Sequence, residues 1–348
     1  MGAANHSHRV AGPRCKVPVP VAPTIRAVLA ILQVTFPFFA LVFCGYLAAR
    51  RRMLPLDAIG GLNTFVLYFA LPCMLYRFGA STPIAQLLDP WALLVYLPCA
   101  LVMVAGSVAF SLNARIRWND AAFGALVAAF PNTGFMGVPL LVALLGLAAA
   151  GPAILTILVD LVFTSSLCIA LSRLDTAGEH GAAVAGRKAL RGVAANPMPW
   201  AIAVGALSSA SGLVPFKPIA ATIGLLADAA SPVALFTIGA ILARSQAIGA
   251  AQEHGPLPAR DFVPMAVAKL LVHPVLVLAA GQGARALGVP LARATLVAMV
   301  LVAALPSASN VTLLTERFGA DTGRVARIIL LTTAAAFLTF SGAVALLR

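Results

Sequence analysis

The chain has 348 residues, 61% of them hydrophobic and only 10% charged, with a mean hydropathy of +0.97. That much apolar surface excludes a water-soluble fold. The formal charge of +13 is scattered through short segments between apolar runs, which excludes a nucleic-acid-binding face and fits an integral membrane protein.

Residues 1–24 hold four prolines, three basic residues and no continuous apolar stretch, so they read as a disordered tail or an overextended start. Apolar runs bounded by Gly, Pro and charge then predict helices near 25–49, 58–80, 90–112, 120–145 and 151–172. A second set follows near 197–213, 218–243, 262–284, 292–315 and 324–347, the run at 197 being the shortest. The expectation is an all-α integral membrane protein of ten transmembrane helices. A first five-helix unit (25–172) and a second (197–348) are joined by a loop at 173–196.

Lys and Arg gather in the loops after the odd-numbered spans, most clearly at Arg50, Arg51 and Arg52. The positive-inside bias then places the 173–196 loop in the cytoplasm and both termini outside. Arg far outnumbers Lys, as in a GC-rich bacterium, which suggests an inner membrane. Five spans per unit make the second unit enter the bilayer from the opposite side, so a repeat would be inverted. The prolines support one: Pro98 precedes Pro131 by 33 residues and Pro274 precedes Pro306 by 32, while Pro72 and Pro232 fall in the second helix of each unit.

Pro131 and Pro306 each interrupt a run of spanning length, Ala121–Leu145 and Ala292–Leu314. Proline lacks an N–H and clashes with the carbonyl four residues back, so the breaks are expected to free the carbonyls of Val127 and Val302. New half-helices are expected to begin near Asn132-Thr133-Gly134 and Ser307-Ala308-Ser309, exposing N–H groups and the positive end of a helix dipole. Such an end favours an anion. Asn132 and Asn310 add amides, and Gly134 and Gly137 permit close approach. A lone membrane proline more often only kinks its helix, but two at equivalent positions point to a transporter whose breaks meet mid-membrane. The candidate substrate-binding residues are Pro131, Asn132, Thr133, Gly134, Pro306, Ser307, Ser309 and Asn310.

Few ionisable groups lie inside the apolar runs: Asp160, Asp228, Lys269 and His273. Charge there is costly, which makes Asp160, Asp228 and Lys269 candidates for ion coupling or a substrate counter-charge. The bland readings are a protonated structural aspartate, a lysine that snorkels to the surface and a hydrogen-bonded core histidine. Asn63 reads as a polar bridge between helices. The cysteines at 15, 44, 73, 99 and 168 show no CxxC spacing, and HExxH, GxSxG and P-loop patterns are absent from the sequence. No enzyme, metal or cofactor is expected.

Several stretches resemble the auxin efflux carrier family, in its bacterial malonate-transporter-like branch: FPFFALVFCGYLAARRRMLP (36–55), LNTFVLYFALPCMLY (62–76), FPNTGFMGVPLL (130–141) and NPMPWAIAVG (196–205). SPVALFTIGAIL (231–242), KLLVHPVL (269–276) and ALPSASNVTLLTERFG (304–319) continue the similarity to near the end of the chain. The resemblance implies two inverted five-helix repeats whose fourth and ninth spans cross at their prolines. It also implies a scaffold of spans 1, 2, 6 and 7, often dimeric, against which spans 3–5 and 8–10 move. The long central loop of plant members is missing, which argues against auxin itself. The expected partners are a small organic anion, such as malonate or an auxin-like carboxylate, the lipid bilayer and a second copy in a homodimer. The coupling ion is left open between H+ and Na+. The competing readings are a sodium-coupled carrier similar to the bile-acid symporters and a membrane sensor or scaffold that does not transport.

Overall fold

The computed structural model describes residues 23–113, 115–174, 194–251 and 258–347, together with 187 and 191. All but the last two residues of the expected tail, and most of the expected 173–196 loop, lie outside the described residues.

The described chain is helical. In order it forms α1 (Pro23–Arg50), α2 (Ala58–Ser81), α3 (Pro90–Ser111), α4 (Trp118–Ala129), α5 (Thr133–Leu145) and α6 (Leu147–Leu171). After these come α7 (Pro197–Ser211), α8 (Lys217–Ala251), α9 (Val263–Ala286), α10 (Arg293–Ala303), α11 (Val311–Phe318) and α12 (Thr322–Leu347). Local chemistry sets the ends. Asp89 caps α3 by accepting from the Trp91 and Ala92 amides, Asn196 caps α7 through the Met198 amide, and glycines with positive φ close α7 (Gly212) and α11 (Gly319).

Seven of the described helical stretches are long and apolar enough to cross a bilayer: Leu32–Arg50, α2, Ile84–Ser111, α6, Lys217–Arg244, α9 and α12. Large apolar side chains such as Phe43, Phe110, Trp200, Leu225 and Leu338 point outward, where lipid rather than water satisfies them. Helices α4 and α10, of 12 and 11 residues, rise only about 18 Å at 1.5 Å per residue, well short of a hydrocarbon core of about 30 Å. Each stops at a break and is followed by a second short helix, α5 or α11.

The helices pack as two groups. One holds α1, α2, α7 and α8; the other is built on α3, α4, α6, α9, α10 and α12, and across the seam α12 packs on α1 and α8 while the start of α5 touches α8. Within the first group helices meet through glycine. A Cβ on Gly45 of α1 would lie 1.8 Å from the Phe236 carbonyl oxygen, and one on Gly239 of α8 would lie 1.8 Å from that of Val42. The α2–α7 contact is built the same way, Gly205 facing the Tyr76 carbonyl at 2.5 Å and Gly79 that of Ile202 at 3.1 Å. Lipid tails are as apolar as leucine, so such backbone contact, rather than hydrophobic exclusion, is what holds these pairs together.

In the second group, a buried arginine ties four helix ends together. Arg324, near the start of α12, donates from Nε to the Asp261 carbonyl (2.7 Å), from Nη1 to the Asp120 carbonyl (2.8 Å) and from Nη2 to Ser111 Oγ (3.2 Å). Asp321 caps the Arg324 amide at 2.8 Å and donates its own amide to Asp120 Oδ1 at 2.7 Å. The guanidinium lies where a side chain on Gly124 of α4 would be, 2.5 Å from the Cβ position.

Gly45→Val should push α1 from α8 and lower stability by about 1–3 kcal/mol. Gly60→Ala, on a face of α2 with open space around it, should be neutral or slightly stabilising. Thermal unfolding in detergent compares the two.

Candidate functional site at the meeting of two broken helices

Phe130 precedes Pro131 and is driven into extended backbone (φ −90°, ψ 103°), which ends α4 at Ala129. Helix α10 likewise ends at Ala303, three residues before Pro306. The two breaks then pair with each other. Pro131 and Ser307 form an antiparallel bridge in which the Asn132 amide donates to the Pro306 carbonyl (2.8 Å) and the Ala308 amide to the Phe130 carbonyl (3.0 Å). Each break thus supplies the partner that the other lost, which is how non-helical backbone survives inside a membrane protein.

One of the two expected carbonyls is not freed: that of Val302 accepts from the Leu305 amide (3.1 Å). The carbonyls that find partners outside their own helices are those of Phe130, Ala303 and Pro306. The reason is that the helices end ahead of each proline instead of bending through it. Helix α5 starts at Thr133 as expected, with Thr133 to Gly137 wound as a π turn. Helix α11 starts only at Val311, because residues 307–310 are consumed by the bridge and a turn.

The sequence-predicted residues Pro131, Asn132, Thr133, Pro306, Ser307 and Ser309 are all buried here, with Gly134 and Asn310 half-buried beside them. Among the described residues no acceptor meets the Gly134, Phe135, Ser309 or Asn310 amides, and the Thr133 Oγ1, Ser307 Oγ and Asn310 Oδ1 atoms are buried without a partner. Gly134, Phe135 and Asn310 among them border a cavity of about 20 Å³ that Phe130, Pro131, Asn132 and Ala308 also line, with Leu71 of α2 and Met198 of α7 across from them. That is room for about one water. The cavity lies on the seam between the two helix groups, and no ionisable side chain lines it. Gly137 is approached by the Leu305 side chain, 2.6 Å from its Cβ position, and Gly134 lies against Leu71.

A second buried cluster adjoins the break in α10. Lys269 of α9 is fully buried and donates to the Ala303 carbonyl at 2.6 Å, putting a cation on the C-terminal end of α10 where the helix dipole favours it. It does not snorkel. Its Nζ stands 3.4 Å from His273 Nδ1, and His273 Nε2 is buried without a partner. Asp160, also fully buried, accepts from the Tyr96 hydroxyl (3.1 Å) and from Thr164 Oγ1 (3.0 Å), and its charge interacts with that of Lys269. Asp160 opens one π turn (Asp160–Thr164) and Lys269 lies in another (Ala268–Val272). Such turns often mark functional positions, because they swing side chains off the regular helical face.

Asp228 does not join them. Its side chain is 69% exposed and ion-paired with Arg77 at 2.6 Å, one turn from the end of α2, so it is a paired surface group and not a buried charge. Asn63 is half-buried and makes no side-chain hydrogen bond among the described residues. Sequence reasoning missed Tyr96, Thr332 and the cavity's far wall. Thr332 Oγ1 accepts from the Ser307 amide (3.3 Å). A hydroxyl at mid-span was the one signal that could have marked either residue.

Two apolar helices broken at prolines, bonded to each other and bordering a pocket between two helix groups define an integral membrane transport protein. The sequence comparisons agree with this class. The chain matches the membrane transport protein family over residues 30–344 and belongs to it, that is, to the auxin efflux carrier family. It is 30% identical over 321 residues, 91% of this chain and 96% of the relative, to the protein named "Putative malonate transporter" of Rhizobium meliloti (strain 1021). It is 27% identical over 295 residues, 82% of this chain and 88% of the relative, to the "Uncharacterized transporter YfdV" of Escherichia coli (strain K12).

Lys269→Met should be costly, on the order of 3–5 kcal/mol, because it strands a buried carboxylate and the Ala303 carbonyl. The double variant Lys269→Met/Asp160→Asn should recover part of that loss. Chemical denaturation in detergent would measure both.

Proposed function

We propose that the protein is a secondary carrier of small organic anions, with a dicarboxylate such as malonate as the leading substrate, working by alternating access. The single observation that carries this reading is the pairing of the two breaks around unpartnered amides. The Gly134 and Phe135 N–H groups at the positive end of α5, together with the Asn132 and Asn310 amides, offer hydrogen bonds to carboxylate oxygens without placing a fixed cation in the pocket. An anion held by amides, with no salt bridge inside the pocket itself, can also leave, which a carrier requires.

In this reading the helices form ten spans in two inverted repeats, residues 25–172 and 197–348 about the 173–196 loop, with α4–α5 and α10–α11 each making one interrupted span. The glycine contacts support it. Exchanging the two units maps the α1–α8 contact onto the α2–α7 contact, and both use reciprocal Gly-to-carbonyl packing. The group α1, α2, α7 and α8 is the scaffold, and the remainder carries the substrate past it. A cavity of about 20 Å³ is too small for a three-carbon dianion, so the described conformation is a contracted one and loading requires the groups to part. A bacterial inner membrane, both termini on its outer side and assembly as a homodimer complete the proposal. Asp160 and Lys269 are the groups through which an ion gradient would act.

Purified protein in liposomes, loaded with unlabelled malonate and given labelled malonate outside, tests this by counterflow. Asn132→Ala and Asn310→Ala should each cut counterflow roughly 5- to 100-fold, the loss of one or two hydrogen bonds to a charged group, and leave the unfolding temperature within a few degrees. Unchanged flux in Asn132→Ala would remove the substrate from this pocket.

A further inference from the structure

Every ionisable group near the break in α10 is fully buried, and their arrangement is asymmetric. The Asp160 carboxylate takes hydroxyl hydrogen bonds on both oxygens, from Thr164 on its own helix and from Tyr96 on α3. Lys269 satisfies the end of α10 through Ala303, yet makes no direct bond to Asp160. His273, one turn further along α9, has its Nδ1 beside the Lys269 amine, its ring 6.0 Å from that of Tyr96 and its Nε2 unpartnered. The remaining titratable groups on the elements packed here are few. The thiols of Cys99 on α3 and Cys168 on α6 are buried. Arg285 lies in the last turn of α9 and Arg293 at the first position of α10, and Asp120, Arg324 and Arg327 lie in the first two turns of α4 and α12, where Arg324 joins the helix ends described above.

Resting on the carrier reading, we infer that the Tyr96–Asp160–Lys269–His273 cluster is a proton-binding site that couples one proton to the binding of one anion. With Asp160 ionised, its charge balances that of Lys269. When Asp160 takes a proton on a carboxylate oxygen, the Lys269 ammonium, seated on the Ala303 carbonyl three residues before Pro306, is left unbalanced, and an anion in the pocket at that break restores neutrality. Proton and anion therefore bind cooperatively, and by reciprocity each strengthens the other. Sodium fits the site poorly. Both Asp160 oxygens already accept from hydroxyl donors, and the Lys269 ammonium is buried in the same cluster.

The test has one arm that needs no substrate. Infrared difference spectra of the purified protein across roughly pH 5–9 should show a buried carboxylic acid C=O band that grows as pH falls, vanishes in Asp160→Asn and shifts in both frequency and midpoint in Tyr96→Phe. A spectrum without that band, or a band unchanged in Asp160→Asn, overturns the proton site whatever the protein carries. Tyr96→Phe decides the same point if Asp160→Asn does not fold. In the second arm, wild-type malonate counterflow should show an apparent affinity that rises by up to about tenfold per unit fall in pH, and an imposed pH gradient should drive accumulation. Both responses should be absent in Asp160→Asn, whatever its rate. A titrating band with pH-indifferent malonate flux overturns the coupling. No malonate flux at all in the wild type counts against malonate carriage, and leaves the proton site to be judged by the spectra.

Discussion

The structure depends on two backbone hydrogen bonds, from the Asn132 amide to the Pro306 carbonyl and from the Ala308 amide to that of Phe130. A break in a membrane-embedded helix strands several polar groups, each costing several kcal/mol in hydrocarbon. A single broken helix would have to find that compensation in side chains or water. Two breaks from different parts of the chain compensate each other with the shortest possible β-bridge, and what is left over after that exchange is the pocket. The unpartnered Gly134, Phe135 and Asn310 amides are therefore a remainder of the same accounting that keeps the fold intact.

The rest of the architecture holds those bonds in place without closing the seam beside them. Reciprocal glycines weld α1 to α8 and α2 to α7 by direct backbone contact, which gives one unyielding group. Arg324 joins the ends of α3, α4, α9 and α12 through carbonyls and a hydroxyl, which gives the other. Between them, at the pocket, apolar side chains of both groups, Leu71, Met198 and Ile157, line the seam.

Much of this was legible in the residues. The apolar runs gave the helices, and Pro131 and Pro306 marked both breaks, because a proline followed by Asn-Thr-Gly or Ser-Ala-Ser has no reason to be inside hydrocarbon unless it faces protein. What was not legible depended on distance across the fold. The reach of Lys269 to Ala303 spans 34 residues, so sequence could offer only a choice between snorkelling and burial. Asp228 seemed buried because its helix is apolar on every side, and only the position of Arg77 shows that it faces outward. Tyr96 went unremarked because tyrosine is at home in apolar runs, and its hydroxyl acquires meaning only once α3 is laid beside Asp160. The late start of α11 was hidden for a different reason: a turn of Ser and Asn looks the same on paper whether it caps a helix or postpones one.

The π turns at Asp160 and Lys269 carry a consequence for how such a protein changes over evolutionary time. Each turn contains one residue more than the regular spiral needs, and that surplus is absorbed within the turn, so the helix beyond keeps its face. Deleting a single residue there would restore an ordinary helix and leave its far end in register, while the side chains of the turn itself, Asp160 or Lys269 among them, would be re-aimed. A one-residue gap in α6 or α9 of a relative would therefore mark a buried acid or base that points elsewhere, a difference that substitution tables do not register.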